Sequence, residues 1–114
     1  MSPTGTAPYD QDWYAWTQDQ AARLRAWPAA LRPDGLDIEH LAEEVADMGG
    51  SQRRSVRCLL QQIMVHLLRM EFHPAVESRS HWAAEVMNFR SQLDVEFRDS
   101  PSLRARREEF ATDG

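Results

Sequence analysis

The chain has 114 residues, of which 42% are hydrophobic and 27% are charged, the composition of a single globular domain. This composition argues against disordered, collagen-like and membrane-spanning classes. All 13 basic residues are arginines and 18 residues are acidic, so the net charge of −5 argues against sequence-independent binding to nucleic acid. We expect one helical domain over residues 9–110, a flexible lead-in over 1–8 and a short tail over 111–114.

The first predicted helix covers residues 10–27 and is rich in tryptophan. Trp13, Trp16 and Trp27 lie on one helical face together with Leu24. A stripe of this kind either belongs to the core or presents aromatic side chains to a partner or a second copy of the chain. We prefer the core interpretation and keep the three tryptophans as candidate interface residues.

Apolar residues at spacings of three and four predict a second helix over residues 37–48 and a third over 51–72. Asp37 has the position and chemistry of an N-cap. Gly49-Gly50 predicts that the chain leaves the helix between them, because glycine readily adopts the left-handed conformation that ends helices. The two helices would then form an antiparallel hairpin.

A fourth helix is predicted from residue 78 or 80 to residue 98, where the apolar spacing is again three and four. Ser100 is expected to cap a short fifth helix that begins at Pro101, in which Leu103 and Phe110 can pack. No alternating strand pattern occurs. The sequence therefore predicts an all-α antiparallel bundle of four main helices and a short C-terminal fifth helix.

One candidate polar cluster follows from the predicted hairpin, in which Glu43 and Glu44 would face Arg54 and its neighbouring arginines. This set is either an ion-pair network that fixes the register of the hairpin or a carboxylate pair for acid–base or metal chemistry. His66 lies at the edge of the apolar face of the third helix. It is either a metal ligand or base, or a structural histidine that binds a backbone carbonyl or a carboxylate. In both cases we favour the structural interpretation.

No catalytic motif, glycine-rich phosphate loop or metal-binding spacing occurs, so we identify no catalytic, cofactor-binding or metal-binding residue and expect no cofactor. Cys58, the single cysteine, cannot form an intramolecular disulfide and is predicted to be buried. The first eight residues do not resemble a signal peptide, and no apolar run is long enough to span a bilayer. We therefore expect a cytoplasmic protein without a membrane or nucleic-acid partner.

Several segments, taken in this order, resemble the DUF29 family of small helical bacterial proteins without an established function. They include YDQDWYAWT over residues 9–17, LDIEHLAEEV over 36–45 and DSPSL over 99–103, with shorter matches at 48–49, 51–54, 59–60 and 66–68. The resemblance implies a helical fold and provides no catalytic residue. Members of that family usually continue through a further helical segment, so we expect an exposed apolar strip that serves as an interface.

The preferred functional hypothesis is a non-catalytic protein-interaction or assembly module, with a protein partner or self-association into a homodimer. The alternative is a metal-assisted hydrolase or related enzyme that uses Glu43, Glu44 and His66. The two hypotheses require different arrangements of these side chains. An enzyme needs these side chains to converge in a cavity, whereas a binding module needs an exposed apolar surface with polar residues at its rim.

Overall fold

The computed structural model describes residues 8–73, 76–106 and 110, and within these residues it contains helices and turns but no strand. The all-α prediction is therefore confirmed. The predicted lead-in, apart from Pro8, and the predicted tail lie outside the described residues. The α-helices are α1 (Trp13–Ala26), α2 (Ile38–Phe72), α3 (Arg79–Asp99) and α4 (Pro101–Ala105), and 3₁₀ turns occur at Ala29–Leu31 and Val76–Ser78.

The second and third predicted helices are one continuous helix, α2, so the described residues form four helices and not four plus a fifth. The predicted break at Gly49-Gly50 is wrong. Gly49 is buried, and a Cβ at this position would lie 2.1 Å from Oγ1 of Thr17 on α1. Gly49 therefore allows α1 to approach α2 closely, and this packing offsets the low helix propensity of glycine, about 1 kcal/mol relative to alanine.

The two halves of α2 have different neighbours. The N-terminal half packs against α1, where the Gln18 side chain donates a 3.1 Å hydrogen bond to the carbonyl of Ala46. The C-terminal half packs against α3, where His66 contacts Glu85. Since α2 has 35 residues, it is about 52 Å long. The radius of gyration is 19.1 Å, whereas a compact domain of this length has about 13 Å, so the molecule is elongated.

A buried cluster lies where α1, α2, α3 and α4 meet, near the middle of α2. Its buried members are Val56, Leu93, Leu103 and Phe110. Leu103 and Phe110 confirm the prediction that the C-terminal segment packs onto the bundle. Partly buried apolar residues surround the cluster: Tyr14, Leu59, Leu60, Ile63 and Phe97.

The helix ends follow local chemistry. Asp37 caps α2 as predicted, since its carboxylate accepts a 3.1 Å hydrogen bond from the amide of His40. The end of α2 at Phe72 agrees with the prediction from the proline at position 74. Arg32 closes α1, because its guanidinium donates to the carbonyls of Arg25 and Trp27 at 3.2 and 2.9 Å.

Candidate functional site

The N-termini of α1 and α4 cap each other. The Asp12 carboxylate caps its own helix by accepting a 3.0 Å hydrogen bond from the amide of Ala15. The same carboxylate accepts hydrogen bonds from the amide and the hydroxyl of Ser102, at 2.8 and 2.9 Å. One side chain therefore satisfies unpaired amides of two helices that are 90 residues apart in sequence.

Ser100 completes this arrangement in the opposite direction. Its hydroxyl is fully buried, accepts a 2.9 Å hydrogen bond from the amide of Tyr14 in the first turn of α1, and donates a 2.6 Å hydrogen bond to the Gln52 side chain. We call this network of Asp12, Tyr14, Gln52, Ser100 and Ser102 the central junction. Its buried polar groups bind one another, so the central junction joins helices and does not present free groups for chemistry.

Two arginines pack on aromatic rings beside the central junction. The Arg53 guanidinium lies 5.3 Å from the ring centre of Phe110, and that of Arg106 lies 6.0 Å from the ring centre of Tyr14. Arg106 also donates a 3.2 Å hydrogen bond to the Tyr14 hydroxyl. These contacts are cation–π interactions within the fold. Arg107 lies outside the described residues.

The candidate polar cluster of Glu43, Glu44, Arg54 and His66 does not form. All four residues lie on the continuous helix α2. Glu44 is about 15 Å from Arg54 and about 33 Å from His66 along the helix axis, at 1.5 Å per residue. Because no hairpin brings these segments together, the carboxylates cannot share a site with the histidine. Glu43, Glu44 and Arg54 are exposed, whereas His66 is buried.

His66 instead joins α2 to α3. Its ring Nδ1 donates a 2.8 Å hydrogen bond to the carbonyl of Gln62, and its Nε2 contacts Oε2 of Glu85. The other carboxylate oxygen of Glu85 lies 2.8 Å from Nε2 of His81, whose side chain is exposed. The ring of His66 also packs edge-on against Phe89, with centres 5.3 Å apart. The prediction of a structural histidine that binds a carbonyl and a carboxylate is therefore confirmed.

The contact between His66 and Glu85 connects a ring nitrogen of α2 to a carboxylate oxygen of α3. A carbonyl only accepts hydrogen bonds, so Nδ1 of His66 donates to Gln62 and leaves Nε2 facing Glu85. The pair clamps α3 to α2.

Among the described residues, no group of three or more His, Cys, Asp or Glu side chains has the geometry of a metal site. Cys58 is exposed, so the prediction that it is buried is wrong. Cys58 lies at the edge of a groove between α2 and α3 that Leu59, Gln92 and Val95 also line.

The three candidate interface tryptophans are half-buried. The buried residues of α1 are Thr17 and Ala21, which are small enough to allow the close contact at Gly49. Trp13, Trp16 and Trp27 flank this contact instead of filling it. The core face of α1 was therefore predicted about a quarter of a turn away from its actual position. A role of the tryptophans in an interface stays a prediction.

The most conspicuous exposed apolar residues lie on the two-helix part of the molecule formed by residues 60–72 of α2 and 79–93 of α3, which we call the distal arm. Phe72 is 77% exposed and Met87 is 70% exposed. Met64, Val65, Leu67 and Leu68 are exposed as well. Soluble monomers rarely expose large contiguous apolar patches, which more often mark binding surfaces.

Asp37 and His40 form an exposed charged pair at the first turn of α2. His40 Nδ1 lies 2.5 Å from Oδ2 of Asp37. The hydrogen bond from the His40 amide, followed by the one from its ring, lowers the pKa of Asp37. The hydrogen bond with Asp37 raises the pKa of His40. Both shifts follow from helix capping and need no functional explanation.

Sequence reasoning missed the partners that complete each polar network. Glu85 was not recognised, although the four-residue spacing of His81 and Glu85 is a signal for a pair on one helical face. Asp12 lies near the start of the first predicted helix, but nothing local indicates its bond to Ser102. The missed contacts connect residues that are distant in sequence.

Comparisons with known proteins agree with this geometry. The chain matches the profile of the domain of unknown function DUF29 over residues 8–113. Among solved structures it is similar to an alpha-helical protein of unknown function from Rhodospirillum rubrum ATCC 11170, with 38% sequence identity and a TM-score of 0.69. The match covers 76% of this chain and 56% of that chain, so the chain spans little more than half the length of its relative.

No curated protein matches the chain. Within the described parts of the chain, no helix has the length and apolar character needed to cross a bilayer. The family match covers nearly the whole sequence and includes the segments that build the central junction. The chain therefore belongs to the DUF29 family.

Proposed function

We propose that this protein is a non-catalytic interaction module of the bacterial cytoplasm and that the distal arm is its binding surface. The observation that carries the proposal is the set of exposed apolar side chains on the two helices of the distal arm, above all Phe72 and Met87. Burying such side chains releases about 25 cal/mol per Å² of apolar surface, which provides the driving force for association.

The distribution of polar contacts supports the same proposal. The central junction uses its buried polar groups to connect helices. On the distal arm, the His66–Glu85 clamp holds α3 against α2, so the apolar surface is presented on a defined scaffold. A preorganised surface binds with a smaller loss of conformational entropy.

The hydrolase alternative has no support in the geometry. Its three residues require a shared site, and Glu44 and His66 are about 33 Å apart along α2. The carboxylate that His66 does contact, Glu85, is engaged in a helix–helix clamp. We therefore propose the interaction module alone.

Affinity purification from native host cells tests the proposal with two matched variants. Met87→Asp places a charge on the distal arm, and Leu31→Asp places one in the 3₁₀ turn after α1, at nearly the same exposure (70% and 69%). We expect the wild type and Leu31→Asp to retain the same protein companion and Met87→Asp to lose it. Loss in both variants, or recovery of no companion by the wild type, would refute the proposal.

A further inference from the structure

A groove of about 380 Å³ runs between α2 and α3 on the distal arm. Its lining residues come from α2, α3 and the start of the C-terminal segment, where Arg104 of α4 closes one end. The apolar lining consists of Leu60, Ile63, Leu67, Val86, Leu93 and Phe97. Arg90 and Asp94 form the polar rim on α3.

The two polar rim residues belong to a row along one face of α3, in which two apolar residues flank two oppositely charged residues. Met87, Arg90, Asp94 and Phe97 follow one another at spacings of three, four and three residues, so they share one helical face. We call these four residues the α3 stripe. Within the part of the chain that the structure describes, neither Arg90 nor Asp94 has an ion-pair partner. Both side chains are exposed.

Two copies of the α3 stripe are complementary to each other when they lie antiparallel. Read from either end, the stripe runs from an apolar residue through two opposite charges to another apolar residue. In an antiparallel pair centred between Arg90 and Asp94, each arginine lies opposite the aspartate of the other copy. Met87 then lies opposite Phe97. A two-fold interface has this property, because each contact between two positions occurs twice.

We propose that the groove is occupied by α3 of a second copy of this chain, antiparallel to the first, with two Arg90–Asp94 ion pairs across the two-fold axis. This inference rests on the proposed function and names its partner. Burial of Met87 and Leu67 supplies the affinity, and the paired charges fix the direction and the register of the helices. Any other register would bring like charges together or leave the charges without partners.

Sedimentation velocity over a range of protein concentrations tests this arrangement. Arg90→Asp puts acids at both positions of the rim, and Asp94→Arg puts arginines at both. In a homodimer each single variant creates two like-charge contacts, so we expect dimerisation at least about tenfold weaker for either one. Arg54→Asp is the control, because it makes the same change of charge at an exposed position of α2 outside the distal arm and should leave dimerisation unchanged.

Mixing the two single variants is the decisive measurement. A mixed dimer would pair the acids of one chain with the arginines of the other at both contacts, so an equimolar mixture should regain the dimer. The double variant with both changes should also regain it. Circular dichroism of each variant verifies that the helices form.

The outcomes separate this inference from the proposed function. A monomeric wild type, or a mixture that stays monomeric, overturns the second-copy arrangement. If Met87→Asp nevertheless loses a protein companion in cells, the interaction module stands with another partner. If the wild type is monomeric and retains no companion, both proposals fail.

Discussion

The two halves of α2 show how one helix can be used in two different ways. Around Gly49 and Gln52 the helix is covered by α1, α4 and the end of α3, and the buried polar groups of the central junction bind groups from other helices. Toward its C-terminal end the same helix packs against α3, and apolar side chains remain exposed on the distal arm.

The comparison indicates where stability and binding reside. At the central junction, small residues and reciprocal caps hold the helices in one arrangement, so a change there should affect the whole fold. On the distal arm, a surface substitution should affect association first, because the exposed residues have few neighbours within the chain. The following predictions test this division, from the largest expected effect to the smallest.

Substitution of Gly49 should be the most destabilising. In Gly49→Ala the new Cβ would overlap Oγ1 of Thr17 and Nε2 of Gln18, at 2.1 and 2.6 Å, so α1 must move away from α2. We expect a loss of about 1–3 kcal/mol in the free energy of unfolding from overpacking. Urea denaturation followed by circular dichroism measures it.

Gly50→Ala is the matched control for this prediction. A Cβ at Gly50 would have its nearest described neighbour, Nη1 of Arg54, at 3.4 Å. Alanine should therefore stabilise the helix by about 0.5–1 kcal/mol through its higher helix propensity. Equal effects of the two substitutions would contradict the role assigned to Gly49.

Removal of the Asp12 carboxylate should cause the next largest loss of stability. Asp12→Ala leaves amides at the starts of both α1 and α4 without their acceptor, so we expect a loss of about 2 kcal/mol, at the upper end for a single N-cap. Asp10→Ala, two residues earlier and exposed, should change stability by less than about 0.5 kcal/mol.

A double-mutant cycle with Ser102 isolates the contact between the two helices. If Asp12 and Ser102 interact as described, the losses from Asp12→Ala and Ser102→Ala should not be additive. Additive losses would mean that the Ser102 hydroxyl does not bind Asp12, because the amide at position 102 is retained in Ser102→Ala.

Loss of the His66–Glu85 clamp should weaken the distal arm locally. His66→Ala removes the buried partner of Glu85, and we expect a loss of about 1.5–3 kcal/mol, the range for hydrogen bonds to charged groups. Hydrogen exchange should accelerate in residues 60–72 and 79–93 more than at the central junction. His81→Ala, which removes the exposed neighbour of Glu85, should have a much smaller effect.

The smallest effect concerns the pH dependence of the first turn of α2. The pKa of Asp37 is lowered, so its contribution to stability is present above about pH 4 and is lost as the pH falls through the lowered value. The pKa of His40 is raised, so its contribution is present below about pH 6.5 and is lost as the pH rises through the raised value. The turn should be most stable between these limits.

NMR titration of His40 measures this coupling directly. In the wild type we expect a pKa above the ordinary histidine value, and in Asp37→Asn we expect it to return toward that value. An unchanged His40 pKa in the variant would show that Asp37 is not its partner.

Local features of the sequence predicted much of the fold. The N-cap at Asp37, the start of α4 at Pro101 and the end of α2 before His73 follow from short-range hydrogen bonding and backbone restrictions, and they are confirmed. Ser100 stands at the N-cap position of α4, but its hydroxyl binds Tyr14 and Gln52, and Asp12 accepts from the α4 amide instead. The prediction that Leu103 and Phe110 of the C-terminal segment pack onto the bundle is also confirmed.

The errors have a common origin. Gly49-Gly50 was interpreted as a helix end because glycine often ends helices, but here it permits a close helix–helix approach. That one misinterpretation produced the hairpin, and the hairpin produced the polar cluster of Glu43, Glu44 and Arg54. The close approach of α1 to α2 at Gly49 was not predicted either. For this reason the core face of α1 was assigned to the tryptophans and not to Thr17 and Ala21.

The sequence by itself determined that the chain is helical, where most helices begin and end, and which family it belongs to, because these depend on periodicity, capping and ordered motifs along the chain. Tertiary structure decided that α2 continues through its glycines, that Asp12 reaches Ser102 and that His66 reaches Glu85. These contacts depend on which segments pack together, and a local pattern does not specify a neighbour that is distant in sequence.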